Sequence, residues 1–325
     1  MKQYASRLFA AAIVLSALAP QVALAQEYPT KPIRVICPYG AGGFADIVAR
    51  TAAFELSKTL GQSVFVENRT GAGATIGFEA FAASPPDGYT LLATASSLHG
   101  IAAVLYPKLK YDPNKDIEPI IALAVANNVL VVNPSVKATT VPELIALAKA
   151  QPGQLTFVSA GVGTSVHMAG EMFNYMAGVS MTHVPYRSSV NALVDLIAGR
   201  VNVMFDNIPS ALGHIRAGKL RAIATTGAAR ASVLPALPTI AEAGLPGYEA
   251  VIWAGLLAPL GTPKPIIAKL NAEGQKAIRS PDFVKRMTDL GNDILGGTPE
   301  QMAQKIRADV KRWGPTVKAS GAKAG

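Results

Sequence analysis

The sequence has few of the residues that build disulfides, metal centres and reactive sites. Its 325 residues include one cysteine and four histidines, and 16% of them are charged. The single Cys37 excludes an internal disulfide, and its apolar sequence neighbours predict a buried structural thiol rather than a reactive one. The histidines lack the clustered spacing of a metal site, so we expect no metal and no cofactor.

Complete catalytic motifs are also missing. There is no G-x-S-x-G elbow that would expose a nucleophilic serine, and no H-E-x-x-H zinc motif. His167 and Glu171 are four residues apart on a predicted helix, which provides one contact but not a complete site. We therefore assign no catalytic residue, and an exported enzyme remains the weaker alternative.

After residue 25 no apolar run approaches the length that spans a membrane, and the N-terminus contains a short apolar run of its own. Lys2 and Arg7 precede an apolar run, Leu8–Ala19, and small residues in Ala23–Ala25 follow it. This pattern predicts a secretory signal peptide over residues 1–25, cleaved after Ala25. The run is shorter than the about 20 residues that a membrane-spanning helix needs. We expect the mature chain to fold outside the cytoplasm.

Basic residues outnumber acidic ones without forming a nucleic-acid surface. The formal charge is +9, and it falls to +7 when Lys2 and Arg7 are removed with the signal peptide. The basic residues are scattered and no aromatic stacking platform accompanies them, so we expect no nucleic-acid partner. This charge favours anionic partners through long-range attraction, or it serves solubility alone.

Strand-like and helix-like segments alternate along the mature chain, which predicts an α/β protein with largely parallel sheets. The apolar run Ile120–Val132 exceeds the usual strand of about five or six residues, and one strand that passes between two lobes explains its length. Leu220–Thr225 is a strand that could return the chain. We predict a first lobe of residues 26–124 and 227–325, a second lobe of residues 125–226, and a cleft between them.

Three loops rich in small residues each follow a predicted strand and precede a predicted helix. They are Tyr39–Asp46, Glu67–Thr75 and Ser159–Ser165. Glycine lets the backbone approach a ligand, and a helix start offers free N–H groups and the positive end of its dipole. Loops from two lobes can converge on one carboxylate or phosphate. The alternative is that each loop is only a tight turn, with Asp46 stabilising the first turn of its helix.

The first loop also matches a nucleotide-binding pattern. Gly40–Ala45 fits G-x-G-x-x-A, and Glu67 ends the next strand where a ribose-binding acid would lie. The predicted export counts against this function, because an unfolded exported chain meets no nicotinamide pool.

Two polar residues beside these loops are further candidates. His167 follows the third loop, and we expect its side chain to face the cleft or the surface rather than to act in catalysis. Asp206 follows the predicted strand Val201–Phe205, at the strand end where ligands of α/β proteins bind. Its carboxylate either contacts the ligand region or caps the next helix.

Taken in chain order, these segments resemble the Bug family of periplasmic solute receptors, the substrate-binding components of tripartite tricarboxylate transporters. The resemblance extends over essentially the whole mature chain. Its marks are Tyr28–Ile33, Gly42–Asp46, Glu67–Arg69, Gly71–Gly73, Pro86–Thr90, Ser159–Thr164, Val184–Arg187, Leu220–Ala224, Pro238–Thr239, Glu242–Gly244 and Trp253–Gly255.

The resemblance implies a two-lobed Venus-flytrap fold, of the type II-like class with two chain crossings, that closes on one small organic anion. Family ligands include dicarboxylates, tricarboxylates, amino acids and aromatic carboxylates. We therefore expect a monomeric periplasmic protein that delivers such an acid to membrane permease subunits. A carboxylate sensor without a permease is the alternative within the same class of site.

The loops and the resemblance together give a set of candidate ligand-binding residues. They are Tyr39, Gly42, Gly43, Phe44, Asp46, Gly71, Ala72, Ser96, Ser97, Ser159, Gly163, Thr164, His167, Arg187 and Asp206. The chain departs from the family at one place, where glycine usually follows the position of Arg187 and this chain has Ser188 and Ser189. Side chains there are expected to reshape that edge of the pocket.

Overall fold

The computed structural model describes residues 28–106 and 109–319, so the predicted signal peptide lies outside the described residues. The strands are β1 Ile33–Cys37, β2 Val64–Asn68, β3 Thr90–Ala95, β4 Ile117–Val132, β5 Thr156–Ser159, β6 Thr182–Pro185, β7 Val203–Asn207, β8 Arg221–Thr225, β9 Val251–Pro259 and β10 Asn292–Gly296. The helices are α1 Phe44–Leu60, α2 Thr75–Ala82, α3 Val141–Ala150, α4 Ser165–Ala177, α5 Ser189–Ile197, α6 Ile208–Arg216, α7 Lys264–Ile278, α8 Pro281–Asp289 and α9 Pro299–Ala319. None of these helices is long and apolar enough to cross a membrane.

One mixed sheet contains all ten strands, and β4 belongs to both of its halves. In the first half, β1 pairs in parallel with β2 and β3, while β9 and β10 pair antiparallel with residues 117–127 of β4. In the second half, β5 pairs in parallel with β6 and β7, while β7 and β8 pair antiparallel with residues 128–132 of β4. We call these halves, with the helices packed on them, the first and the second lobe.

The long apolar run predicted at Ile120–Val132 is therefore a single strand that extends from one lobe into the other. The α/β class is confirmed. The expectation of largely parallel sheets is wrong for the strands near the crossing, because β4 runs against β7, β8, β9 and β10. Parallel pairing is confined to the outer strands of each lobe.

Apolar clusters pack each lobe, and one cluster of the second lobe also takes in Ile101, Leu105, Trp313 and Val317. The first lobe packs Phe78, Phe81 and Trp253 around β1 and β3. In the second lobe, neighbouring residues of β7 enter different clusters, since Phe205 packs with Phe157 and Phe173 on one face and Met204 packs on the other. This alternation is typical of a strand that is covered on both faces.

The division into residues 26–124, 125–226 and 227–325 stays a prediction. The packing bears on the boundary at residue 226, where the chain was expected to return to the first lobe. Ala231 and Tyr248 lie beyond β8, yet both are buried in the clusters of the second lobe. The next strand that pairs with the first lobe is β9. We therefore propose that the chain returns at β9 rather than at β8.

Cys37 is a free, buried cysteine at the end of β1. Burial raises the pKa of its thiol to about 11, so the thiolate that reacts and binds metals is disfavoured. The prediction of a buried thiol is confirmed.

Candidate functional site

The first small-residue loop, between β1 and α1, is held together by the carboxylate of Asp46. This side chain accepts hydrogen bonds from the Gly42 amide at 2.9 Å, from Arg50 Nε at 3.0 Å and from Asn68 Nδ2 at 2.7 Å. Burial opposes ionisation of Asp46, but these donors together hold its pKa below the ordinary value. Asp46 therefore shapes the loop from inside.

The start of α1 offers donors that the protein does not use itself. Gly43 is the N-cap and has no side chain to cap the helix. The amides of Phe44 and Ala45 make no hydrogen bond with any residue in the described ranges. Unpaired first-turn amides at the positive end of a helix dipole suit an anion.

Two hydroxyl groups of the first lobe lie beside this loop. Tyr39 Oη is 3.4 Å from Ser97 Oγ, and Ser96 and Ser97 are both buried after β3. Burial raises the pKa of Tyr39 above its ordinary value, so the phenol keeps its proton. The Tyr39 carbonyl accepts a hydrogen bond from Asn68 Nδ2 at 3.0 Å, which ties the first loop to β2.

The second small-residue loop has an unusual backbone. Gly71 has φ of 133°, and Ala72 has φ of 44°, in the left-handed region that residues with a side chain rarely adopt. The Thr75 hydroxyl donates to the Ala72 carbonyl at 2.8 Å and helps to hold this conformation. Such backbone strain concentrates at ligand-binding loops.

The third loop, between β5 and α4, is closed by its own side chains. The Thr164 hydroxyl donates to the Gly161 carbonyl at 2.8 Å and accepts from the His167 amide at 3.3 Å, so Thr164 is the N-cap of α4. The amides of Ser165 and Val166 make no hydrogen bond with any described residue. The second lobe therefore also presents a helix start with unpaired donors.

From the sequence we expected the His167 side chain to face the cleft or the surface. That expectation is wrong, because His167 is buried behind the third loop. Its Nδ1 accepts a hydrogen bond from the Gly163 amide at 3.2 Å, and its Nε2 is 3.5 Å from Glu171 Oε1. The ring packs against that of His183, with 3.9 Å between the centroids and a tilt of 31° between the planes. Both nitrogens are engaged inside the protein, because the side chain points back under the loop.

Ser159 and His183 support the same loop from below. Ser159 Oγ is 2.7 Å from His183 Nε2 and accepts a hydrogen bond from the Gly161 amide at 3.1 Å. Burial, with a smaller effect of His167, lowers the pKa of His183 to about 3. The imidazole is therefore neutral at physiological pH, as a structural role requires.

Arg187 follows β6 and is exposed. It makes no ion pair with any residue that the structure describes. The next residue, Ser188, is the N-cap of α5 and accepts a hydrogen bond from the Asn191 amide at 3.3 Å. One of the two serines that depart from the family pattern thus starts a helix beside an unpaired cation.

Asp206 is fully buried at the carboxyl end of β7. Its Oδ1 accepts a hydrogen bond from Ser189 Oγ at 2.8 Å, and its Oδ2 has no partner. Burial raises its pKa to about 7, although the bonds from Ser189 and the Asn207 amide oppose the shift. Asn207, not Asp206, is the N-cap residue of α6, so the capping alternative is wrong.

The third loop lies against the helical turn that follows β3. A Cβ atom on Gly163 would be 3.0 Å from Leu105 Cδ1, in the helical turn that follows Ser97, and Gly163 has φ of +81°. Only glycine fits this backbone and this close approach without strain. The structure therefore brings the third loop together with the residues after β3.

The sequence did not identify Arg50 and Asn68, which fix Asp46. A signal for Arg50 was available, because it lies four residues after Asp46 on the same helix face. Asn68 gave no such signal, since its bond to Asp46 joins the end of β2 to the start of α1, the helix that follows the neighbouring strand β1.

Within residues 28–106 and 109–319, no group of three or more His, Cys, Asp or Glu side chains could hold a metal ion.

Comparison with known proteins places this geometry among solute receptors. The family model "Tripartite tricarboxylate transporter family receptor" matches residues 48–322. Protein BugT of Bordetella pertussis is 38% identical over 300 residues, which cover 92% of either chain.

Solved structures show the same fold. Rpa4515 of R. palustris, with adipate, is 35% identical, with a TM-score of 0.84 over 91% of this chain and 99% of that one. The periplasmic binding protein BugD is 34% identical, with a TM-score of 0.82 over 91% of this chain and 99% of BugD. MatC of Rhodopseudomonas palustris, with bound malate, is 35% identical, with a TM-score of 0.82 over 89% of this chain and 100% of MatC. The two-lobed fold predicted from the sequence is confirmed.

Proposed function

Because the chain belongs to the tripartite tricarboxylate transporter receptor family, we propose that it binds a small organic acid in the cleft between its lobes. It does so in the periplasm, after loss of residues 1–25, and delivers the acid to membrane permease subunits. The adipate and malate bound by two relatives support a carboxylate as the ligand class.

One observation carries this proposal. Both lobes present a helix start whose first amides have no partner among the described residues, at Phe44 and Ala45 and at Ser165 and Val166. Exposed Arg187, on the second lobe, adds a cation that forms no ion pair with the residues described. Amide donors at two helix starts, together with a free guanidinium, match the charge and the acceptor oxygens of a carboxylate.

The proposed site divides the candidate residues into three groups. The donors to the ligand are the amides at the two helix starts, the Tyr39 and Ser97 hydroxyls, and Arg187. Asp46, Thr164 and His167 hold the loops in shape, because their polar atoms bond within the protein. The other candidates, from Gly71 and Ala72 to Ser96 and Ser159, form the backbone and walls around them.

Binding energy comes from charge-assisted hydrogen bonds, each contributing about 1.5–3 kcal/mol. Closure of the lobes removes water from the cleft and strengthens these bonds by lowering the local dielectric constant. The ligand shifts the protein towards the closed form by its higher affinity for that form. The closed form is then the signal that a permease recognises.

A thermal-shift screen of the mature chain, beginning at Gln26, tests this function. The panel contains mono-, di- and tricarboxylates, amino acids and aromatic acids. We expect one acid class to raise Tm in a concentration-dependent way, because a ligand that binds only the folded state stabilises it. Mass spectrometry of the recovered acid should show it unchanged. Turnover would instead establish an exported enzyme, and a panel without any shift would count against a carboxylate receptor.

A further inference from the structure

One buried carboxylate in the second lobe has an acceptor oxygen that the protein leaves unpaired. Asp206 is completely buried, its Oδ1 accepts from Ser189 Oγ, and its Oδ2 has no hydrogen-bond partner. Leaving a buried polar atom unpaired costs about 1–3 kcal/mol, and more when the group is charged. Such an atom at a strand end is therefore an unused binding position.

The sheet register places this atom at the crossing between the lobes. Val129 of β4 pairs with Asp206 on β7 and with Thr225 on β8, so the three side chains lie in one row on one face. Thr225 Oγ1 is also buried and unpaired. Residues of β4 before Asn128 pair with the first lobe. Both atoms thus lie next to the point on β4, between Asn127 and Asn128, where pairing passes from the first lobe to the second.

The same corner of the second lobe contains a free cation. Ser189, the partner of Asp206, is two residues after Arg187, which makes no ion pair with the described residues. A ligand that contacts both residues needs a carboxylate for the guanidinium and a hydrogen-bond donor for Asp206 Oδ2. When Asp206 is ionised, an acid with acceptors alone would leave Oδ2 unpaired and would bring like charges together.

We propose that Asp206 is the specificity-determining residue of the cleft, and that it selects small carboxylic acids carrying a hydroxyl or ammonium group next to a carboxylate. The proposal rests on the proposed function and deepens it. Ser189 holds Oδ1 and thereby turns Oδ2 towards the donor of the ligand. A site that is built to pair a ligand donor discriminates strongly against the analogue without it, because its own polar atom then stays unpaired.

Isothermal titration of the mature chain with matched acids tests this proposal. Succinate, malate and aspartate share one carbon skeleton and differ only in a hydrogen, a hydroxyl and an ammonium group. Glutarate, 2-hydroxyglutarate and glutamate repeat the series with one more carbon. At pH 8, where Asp206 is ionised, we expect the donor-bearing acids to bind about tenfold more tightly than the plain diacid. The ratio of the dissociation constants of the hydroxy acid and the amino acid identifies which donor Asp206 prefers.

Variants assign the preference to Asp206. Asp206→Asn should reduce the preference to less than about threefold, because its amide cannot accept from the ligand as a carboxylate does. Asp282→Asn, the same change on an exposed side chain of α8, should leave it unaltered. Ser189→Ala provides a second variant that keeps the carboxylate but removes the bond to Oδ1, and it should weaken the preference, because Oδ2 is then no longer held towards the ligand.

The outcomes separate this inference from the proposed function. Equal affinity for plain and donor-bearing acids, or an unchanged preference in Asp206→Asn, would overturn the inference while leaving a carboxylate receptor. Absence of binding by every acid in the panel would overturn both. The wild-type comparison needs no variant, so a folding defect in Asp206→Asn does not remove the test.

Discussion

His167 and Gly163 are joined by a hydrogen bond in which the glycine amide donates to the Nδ1 atom of the imidazole at 3.2 Å. Nδ1 must therefore be unprotonated, and the proton of the neutral ring is on Nε2, towards Glu171. This bond fixes a glycine that lies against Leu105, in the helical turn after β3. A buried histidine thus holds the backbone of the loop that we propose to present donors to the ligand.

Replacement of His167 should affect binding through that loop. His167→Leu leaves the Gly163 amide unpaired, and we expect a loss of about 1–3 kcal/mol in the free energy of unfolding together with weaker acid binding. His167→Asn should recover much of both, because its amide oxygen is as many bonds from Cα as Nδ1 is. Chemical denaturation and titration measure the two effects. Equal behaviour of the leucine and asparagine variants would contradict the role of Nδ1.

Thr164 should act as a helix cap rather than as a ligand donor, since its hydroxyl proton is donated to the Gly161 carbonyl. Thr164→Val removes the cap of α4 and should lower the free energy of unfolding by about 0.5–2 kcal/mol. Affinity should fall with it because the loop loses its shape. Thr164→Ser keeps both bonds and should resemble the wild type in denaturation and titration. A valine variant as stable as the wild type would contradict the capping role, because valine keeps the methyl group and loses only the hydroxyl.

The buried Asp206 should make stability depend on pH. Its pKa is raised to about 7 in the folded protein, against 3.8 for the free side chain. The unfolded chain therefore releases this proton at lower pH, and stability is lost as pH rises from about 4 to 7. Asp206→Asn avoids this loss and should be more stable than the wild type at pH 8, by about 2–4 kcal/mol, but not near pH 4. Urea denaturation at pH 8 and pH 4 measures the difference in the free energy of unfolding, with Asp282→Asn as the control. An Asp206→Asn variant that is less stable than the wild type at pH 8 would contradict the prediction.

His99 should remain neutral far below the ordinary range. It is fully buried, its ring lies between Thr94 and the Pro113 carbonyl, and burial lowers its pKa to about 4. The unfolded chain takes up this proton below about pH 6.5, so His99 contributes stability that is lost as pH falls from 6.5 to 4. The C2 proton resonance of His99 should not shift between pH 8 and pH 5.5. A titration centred near pH 6.5 would place the ring in water instead.

Local sequence patterns predicted most of the elements. The third loop was expected to precede a helix, and α4 begins at the last residue of that loop, Ser165, because Thr164 caps the helix and an apolar face defines it. At the start of α9, Thr298 and Gln301 form reciprocal capping bonds. The strands Thr182–Pro185 and Asn292–Gly296 were not predicted, since they are short and only their pairing identifies them.

The sequence could locate the site but not its contacts. Strand ends and glycine-rich loops identify a cleft, because parallel strands end at one edge of a sheet. The bond between Asp206 and Ser189 joins residues from different strand ends, so only the folded chain reveals it. The burial of His167 was missed for the same reason, since its partners Phe157 and His183 lie on neighbouring strands.

The most direct test of a carboxylate receptor is a calorimetric titration of the mature chain with the acid that raises Tm most. We predict saturable binding of one acid per chain. Arg187→Ala should weaken Kd by about tenfold or more through loss of a charge-assisted bond, whereas Arg200→Ala, which removes a surface ion pair with Asp195, should not. Absence of saturable binding by any carboxylate would contradict the account, and an unchanged Kd in Arg187→Ala would remove Arg187 from the site.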